Sequence, residues 1–273
     1  MKLKNLLAGV AAAALLLGSG TSAFALQDYH QYLLDDEDIP EYRFETHKPN
    51  AVSAIKTIPG GEVTRVEINS SNCGIVVEKG SGKNFKLDYV GVDDQDLFEV
   101  SAAVDRYGKL TISVEADEDL DYVSVPKGYQ VNVVRLTIPD KEYQNFAVND
   151  AGGVVYLPDI NSTVQISSDE GTVRVDAEQM LHSRLYIEGK AAQVLLNADG
   201  FLDNADIALT DHRSMIRLRL REAPENLTIN TSGCIGDRDF PDGYKRYRTT
   251  IGDGTPVLTL SNEGETYIAE YNF

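Results

Sequence analysis

The 273-residue sequence predicts an all-β fold, a right-handed solenoid-like stack of short strands that repeats about every 20 residues. Three observations lead there. Apolar and polar residues alternate with period two through most of residues 62–273. Trp is absent, while Val, Ile, Leu and Tyr are spread evenly, a profile that suits strands better than helices. One template also recurs: apolar-x-apolar, a short polar stretch, a small residue, then x-apolar-x-apolar.

The template reads FAVNDAGGVVYL, VQISSDEGTVRV, LYIEGKAAQVLL and IALTDHRSMIRL, more loosely LTINTSGCIGD, and finally LTLSNEGETYI. Its second apolar anchors are Val148, Ile166, Ile187, Leu209, Ile229 and Leu260, at spacings of 18, 21, 22, 20 and 31. VEINSSNCGIVV, anchored at Ile68, fits the same template. One unit alone offers too few inward side chains to offset the ordering of its backbone, which costs ~1–2 kcal/mol per residue. Stacking buries those side chains, each worth ~1.5–3 kcal/mol, and pairs the backbones between units. Ile166, Ile187 and Leu209 are expected in one column. The small residues Gly153, Gly171, Ala192 and Ser214 are expected at the turn, where a positive φ favours glycine. A two-sheet β-sandwich is the alternative, since a meander of hairpins gives the same spacing.

Along the chain, residues 1–25 read as a secretory signal peptide. Lys2 and Lys4 precede the apolar run Leu6–Leu17, and Ala23-Phe24-Ala25 is a small-x-small site, so cleavage is expected after Ala25. The run is too short for a span of about 20 residues, and no other stretch could serve. Residues 26–61 form an N-terminal leader segment in which LQDYHQYLLDD could be a short helix. From Glu62 the strand pattern takes over. Phe98–Ala102 and Leu110–Val114 flank the turn Asp105–Gly108 as a hairpin. The acidic loop ADEDLDY follows, and then VRLTIP.

Removing Lys2 and Lys4 takes the net charge from −18 to −20. Such a surface repels nucleic acid and anionic lipid. Cys73 and Cys234 are the only cysteines, too few for a disulfide scaffold or a cysteine-ligated metal site. Several units of a chain-ordered stack would separate them, so two free thiols are expected.

The units SNCGIVV, DAGGVVYL, DEGTVRV and NEGETYI, together with VRLTIP and IGDGTPVLTL, resemble the bacterial β-strand-repeat family known as "putative adhesins", a domain of unknown function. The resemblance covers about Glu62 to Tyr271. It implies an all-β adhesin-like domain over 62–273, secreted or associated with the cell envelope, and it transfers no catalytic residue. LYIEGKAAQVLL departs from the pattern by carrying Ala at the turn.

The chemistry-bearing residues form no familiar constellation. Asp150, Asp169, Glu170 and Asp211 fall at successive turns and would form a column of acids in a regular stack. Turns favour Asp for backbone reasons, so no catalytic residue is assigned. The acidic clusters lack the calcium-loop pattern, the four histidines lack ligand spacing, and no metal or cofactor is expected. Two surfaces invite a ligand. Arg217, Arg219 and Arg221 alternate with leucines on one strand. The stretch that lengthens the last spacing carries Phe240, Tyr244 and Tyr247 beside Lys245, Arg246 and Arg248. Aromatics among cations can hold a glycan or an anionic polymer; a cap over the end of the stack is the other use of such an insertion. The sequence thus reads as a non-enzymatic envelope protein, monomeric or weakly oligomeric, that binds a surface polymer, peptide or protein. An envelope-stress sensor for cationic peptides and a polysaccharide-cleaving enzyme are the alternatives.

Overall fold

The computed structural model describes residues 51–92, 98–116, 133–177, 180–220, 224–233, 238–239, 245 and 247–270. The signal peptide, the rest of the leader, the acidic loop and Cys234 lie outside the described residues.

The strands in chain order begin β1 (Ala51–Pro59), β2 (Arg65–Ser71), β3 (Gly74–Gly80), β4 (Asn84–Val92), β5 (Phe98–Val104), β6 (Lys109–Ala116) and β7 (Val133–Pro139). There follow β8 (Asn145–Ala151), β9 (Val154–Pro158), β10 (Thr163–Asp169), β11 (Thr172–Asp176), β12 (Met180–Leu181), β13 (Arg184–Lys190), β14 (Gln193–Ala198) and β15 (Gly200–Phe201). The chain closes with β16 (Ala205–Thr210), β17 (Met215–Leu220), β18 (Leu227–Ser232), β19 (Arg238–Asp239), β20 (Arg248–Ile251), β21 (Val257–Asn262) and β22 (Glu265–Glu270). Among the described residues there is no helix, and the protein is all-β.

Two ten-stranded mixed sheets carry the fold. Sheet A runs β1-β4-β7-β3-β9-β11-β14-β17-β22-β19, and sheet B runs β20-β18-β21-β16-β13-β10-β8-β2-β6-β5. Each template unit whose two strands are both described gives its first strand to sheet B and its second to sheet A. Successive units pair in parallel and in register. One inward row on sheet B joins Ile112, Ile68, Val148, Ile166, Ile187, Ile207 and Leu260. All seven are buried. The core lies between the two sheets and runs the length of the stack.

Three expectations need correction. Leu209 does not share the column of Ile166 and Ile187; Ile207 does, and Leu209 pairs with Gly189. The cause is the turn between β16 and β17. Gly189 pairs with Leu209, but Gln193 pairs with Met215, so this turn holds two more residues than the one before it. A two-residue shift keeps every side chain on its own face, which is why the hydrophobic pattern concealed it. Ile229 is displaced in the same way: it pairs with Leu258, and Thr231 pairs with Leu260.

Second, the units do not stack strictly in chain order. β2 sits between β6 and β8, and β21 sits between β16 and β18. Five strands still separate β2 from β18 in sheet B, so the two are roughly 29 Å apart at ~4.8 Å per step. Cys73 is two residues beyond β2, and it is buried and free. Cys234 is two residues beyond β18. A disulfide needs Cα atoms within ~7 Å. Titration of denatured, unreduced monomer should therefore count two thiols; a count of none would contradict this strand order.

Third, the turn chemistry is shared between two positions. The positive φ belongs to the residue before the small one: Asn72 (54°), Gly152 (71°), Glu170 (56°) and Ala191 (52°). Their amides bond the next unit along, as in Asn72 N–H to Ala151 O at 2.8 Å and Glu170 N–H to Lys190 O at 2.8 Å. The small residue answers a different need. A Cβ on Gly153 would strike the Cys73 carbonyl, and one on Gly171 would strike the Asp150 carboxyl group.

Antiparallel strands close both sheets at one end of the stack and sheet B at the other. β1 and β4 end sheet A on one side and β5 ends sheet B, while β20 pairs antiparallel with β18 at the other end. The expected β5–β6 hairpin is present. Its turn is tied by Asp105 Oδ1, which accepts the amides of Tyr107 and Lys109 at 2.8 and 2.9 Å. β20, from the inserted stretch, forms the end strand of sheet B. Ala51–Pro59, from the segment read as a leader, form the edge strand of sheet A.

Candidate functional site

The column of turn acids does not form. Asp150 points inward and Asp169 outward, because Asp150 pairs with Ser168 and Asp169 pairs with Ala151. Asp150 is buried between two serines: Ser70 Oγ donates to its Oδ1 at 2.7 Å, and Ser168 Oγ to its Oδ2 at 3.3 Å. Burial pushes this carboxyl group up to about 7, against the pull of those bonds and one from the Gly153 amide. Asp211 sits at the other extreme. Its bonds to Arg213 hold it down at about 2. Glu170 lies 3.3 Å from the Arg213 guanidinium as well. These acids brace turns, and Asp150 lines a pocket of about 310 Å³ together with Glu115 and Asp169.

His182 and two serines also brace corners. Asp159 Oδ1 accepts the amides of His182 (2.9 Å) and Ser183 (3.2 Å), while its Oδ2 lies 2.8 Å from His182 Nδ1. Ser183 Oγ lies 3.0 Å from the same Oδ1 and is buried, so it is a strut. Ser214 Oγ donates to Thr210 O at 2.6 Å, away from His212. Among the described residues no group of three His, Cys, Asp or Glu could hold a metal ion.

The predicted ligand residues separate into two places. Arg217 and Arg219 share the outward face of β17, as their alternation required. Arg219 is buried, and Arg217 lies 5.5 Å from the centre of the Tyr267 ring on β22. Lys245, Tyr247 and Arg248 lie at the far end of the stack, beside β18. There Thr231 N–H donates to Tyr247 O at 2.9 Å, and the Tyr247 side chain is 65% exposed. Arg221, Phe240, Tyr244 and Arg246 lie outside the described residues.

Sequence reasoning missed the rest of the row to which Arg217 belongs. Strand by strand across sheet A it reads Arg135, Val76, Tyr156, Arg174, Leu195, Arg217 and Tyr267. The signal was present. The first strands alternate, as in NFAVNDA, but the second strands run on: IVV, VVYL, TVRV, QVLL and MIRLRL. A continuous apolar run marks a strand buried on both faces. A groove of about 630 Å³ also opens at one corner beside Met180, Phe201, Leu202 and Pro256.

Fold and surface together define an all-β protein of repeated two-strand units that presents side-chain rows and end loops. No family model matches the chain, and no curated protein does. Two solved structures are similar. One, a "putative cell adhesion protein" from Clostridium sporogenes, is 10% identical with a TM-score of 0.43; the match covers 80% of this chain and 98% of the other. The second, a "putative adhesin" from Bacteroides fragilis, is 14% identical with a TM-score of 0.32, over 80% and 96% of the two chains. Among the described residues, no helix is long and apolar enough to cross a membrane.

Proposed function

We propose that this is an exported, non-enzymatic protein of the cell envelope with an adhesin-like binding role, built as a β-solenoid-like stack. The parallel pairing of successive units supports the solenoid reading over a meander of hairpins, which would pair its neighbours antiparallel. The observation that carries the binding role is the end of the stack at β20. There an exposed tyrosine, Tyr247, stands with exposed Lys245 and Arg248 on a chain of strongly negative net charge. Cations beside an accessible ring attract an anionic or sugar-containing polymer by charge, ring stacking and cation–π contact.

The test is retention of the protein on the envelope fraction of its own cells. The triple variant Lys245→Gln, Tyr247→Ser, Arg248→Gln should lose at least ~tenfold in affinity, and added salt should weaken the wild type. Equal retention of the two proteins would refute the site. Turnover of a glycan by the wild-type protein would refute the non-enzymatic reading. Salt-sensitive capture of cationic peptides would replace it with the sensor reading.

A further inference from the structure

The two sheets treat their outer faces differently. On sheet B the outward positions are polar and open, among them Asn149, Asp169, Glu188, Lys190, Asp206 and Thr210. On sheet A the outward row holds Val76, Tyr156 and Leu195, exposed by only 3, 5 and 4%, and Met215 beside them by 6%. None of these four belongs to the core between the sheets. Ladder neighbours spaced ~4.8 Å apart cover the flanks of an outward side chain but not its tip. Burial this deep on an outer face needs a second layer. Cations are set among the apolar residues: Arg135, Arg174 and Arg217 in the row and Arg219 next to it. Arg135, Tyr156, Gln193, Arg217, Arg219 and Tyr267 all have partners.

We propose that residues 27–46 of the leader seat on this outer face of sheet A, with Asp35–Asp38 against the arginine row. The segment carries Tyr29, Tyr32, Leu33, Leu34, Ile39, Tyr42 and Phe44 to meet the apolar side chains. Residues 26–50 hold seven acids against Arg43 and Lys48, the opposite sign to the face. Reach agrees. The leader enters the fold at Ala51 in β1, the edge strand of sheet A, seven strand steps from β17. That distance is roughly 34 Å, which about 11 extended residues cover, well within the 25 of the segment. The acidic loop 117–132 is a poorer fit. It leads into β7, which carries Arg135 of the row, but reaching Arg217 and returning, five strand steps each way, would take about 15 fully extended residues of its 16. This inference is independent of the ligand site at the β20 end.

Zero-length carbodiimide coupling of the mature chain carrying Arg217→Lys tests it. Mass spectrometry should find the amine at position 217 joined to a carboxylate within 35–38 of the same molecule. Coupling to residues 117–121, coupling between isotopically distinct copies, or no coupling at all would each overturn the proposal. A second reading uses Leu195→Cys. In the intact mature chain this thiol should label with maleimide at least ~tenfold more slowly than when Asp35, Asp36 and Asp38 are replaced by Asn and Glu37 by Gln. Equal labelling rates in those two proteins would also overturn it, and the denaturation midpoint of each checks that the sheets are folded.

Discussion

Truncating Phe146 to alanine is expected to cost about 3–5 kcal/mol of unfolding free energy, the range for a buried aromatic replaced by a methyl group. Phe146 is wholly buried. It stands in an inward row between Val66 and Val164, and its ring meets Tyr143 edge-on at 6.2 Å. Tyr143 in turn packs on Phe85 at 6.2 Å, so one ring fixes the contact between the sheet B row and the β4 end of sheet A. The site has little freedom to collapse. β8 is hydrogen-bonded to β2 on one side and β10 on the other, and those ladders hold the backbones at ~4.8 Å whatever the side chain. Phe146→Leu, which keeps most of the volume, should cost less than half as much. Denaturant titration of the three proteins measures both values; a loss below about 1 kcal/mol for the alanine variant would show that Phe146 is not packed as described.

Asp150→Asn is expected to stabilise the protein at pH 8 by up to roughly 4 kcal/mol and to leave it almost unchanged near pH 4. The carboxyl group lies near 3.9 in the unfolded chain, and burial raises it to about 7 in the folded one. Below pH 4 both states hold the proton and folding carries no penalty from this group. Between pH 4 and 7 the folded state keeps a proton that the unfolded state has released, so stability falls as the pH rises. Above 7 the folded protein carries a buried carboxylate and the penalty is complete. Asparagine keeps the geometry: its oxygen can accept from Ser70 Oγ, and its amide can donate to Ser168 Oγ, the two groups now bonded to the carboxyl group. The check is the difference between the two proteins' stability curves from pH 4 to 8. Parallel curves, or a wild type that gains on the variant as pH rises, would show that Asp150 is not held in a buried site.

The sequence by itself determined the strands of the repeat, the two strands per unit and the polar corner between them, but not β1, which falls in the segment read as a leader. Those features follow from period-two alternation and backbone turn chemistry, both of which are local. Ile166 pairing with Ile187, and Cys73 buried beside Gly74, were legible for that reason. The residues of the expected ligand surface were legible as types but not as a group. Arg217 and Arg219 came to lie on sheet A and Tyr247 beside the last strand of sheet B, a separation that depends on which sheet each unit's second strand joins. Only the tertiary structure decided that Ile207 rather than Leu209 continues the column, because a turn longer by two residues leaves the hydrophobic pattern unchanged. It alone decided that β2 lies between β6 and β8 and that β21 precedes β18, since near-identical units compete for the same neighbours and end closure chooses among them. It also separated Asp150 from the other turn acids. One position along a strand turns a side chain from solvent to core, and inside the core burial outweighs the hydrogen bonds that would otherwise keep a carboxylate charged.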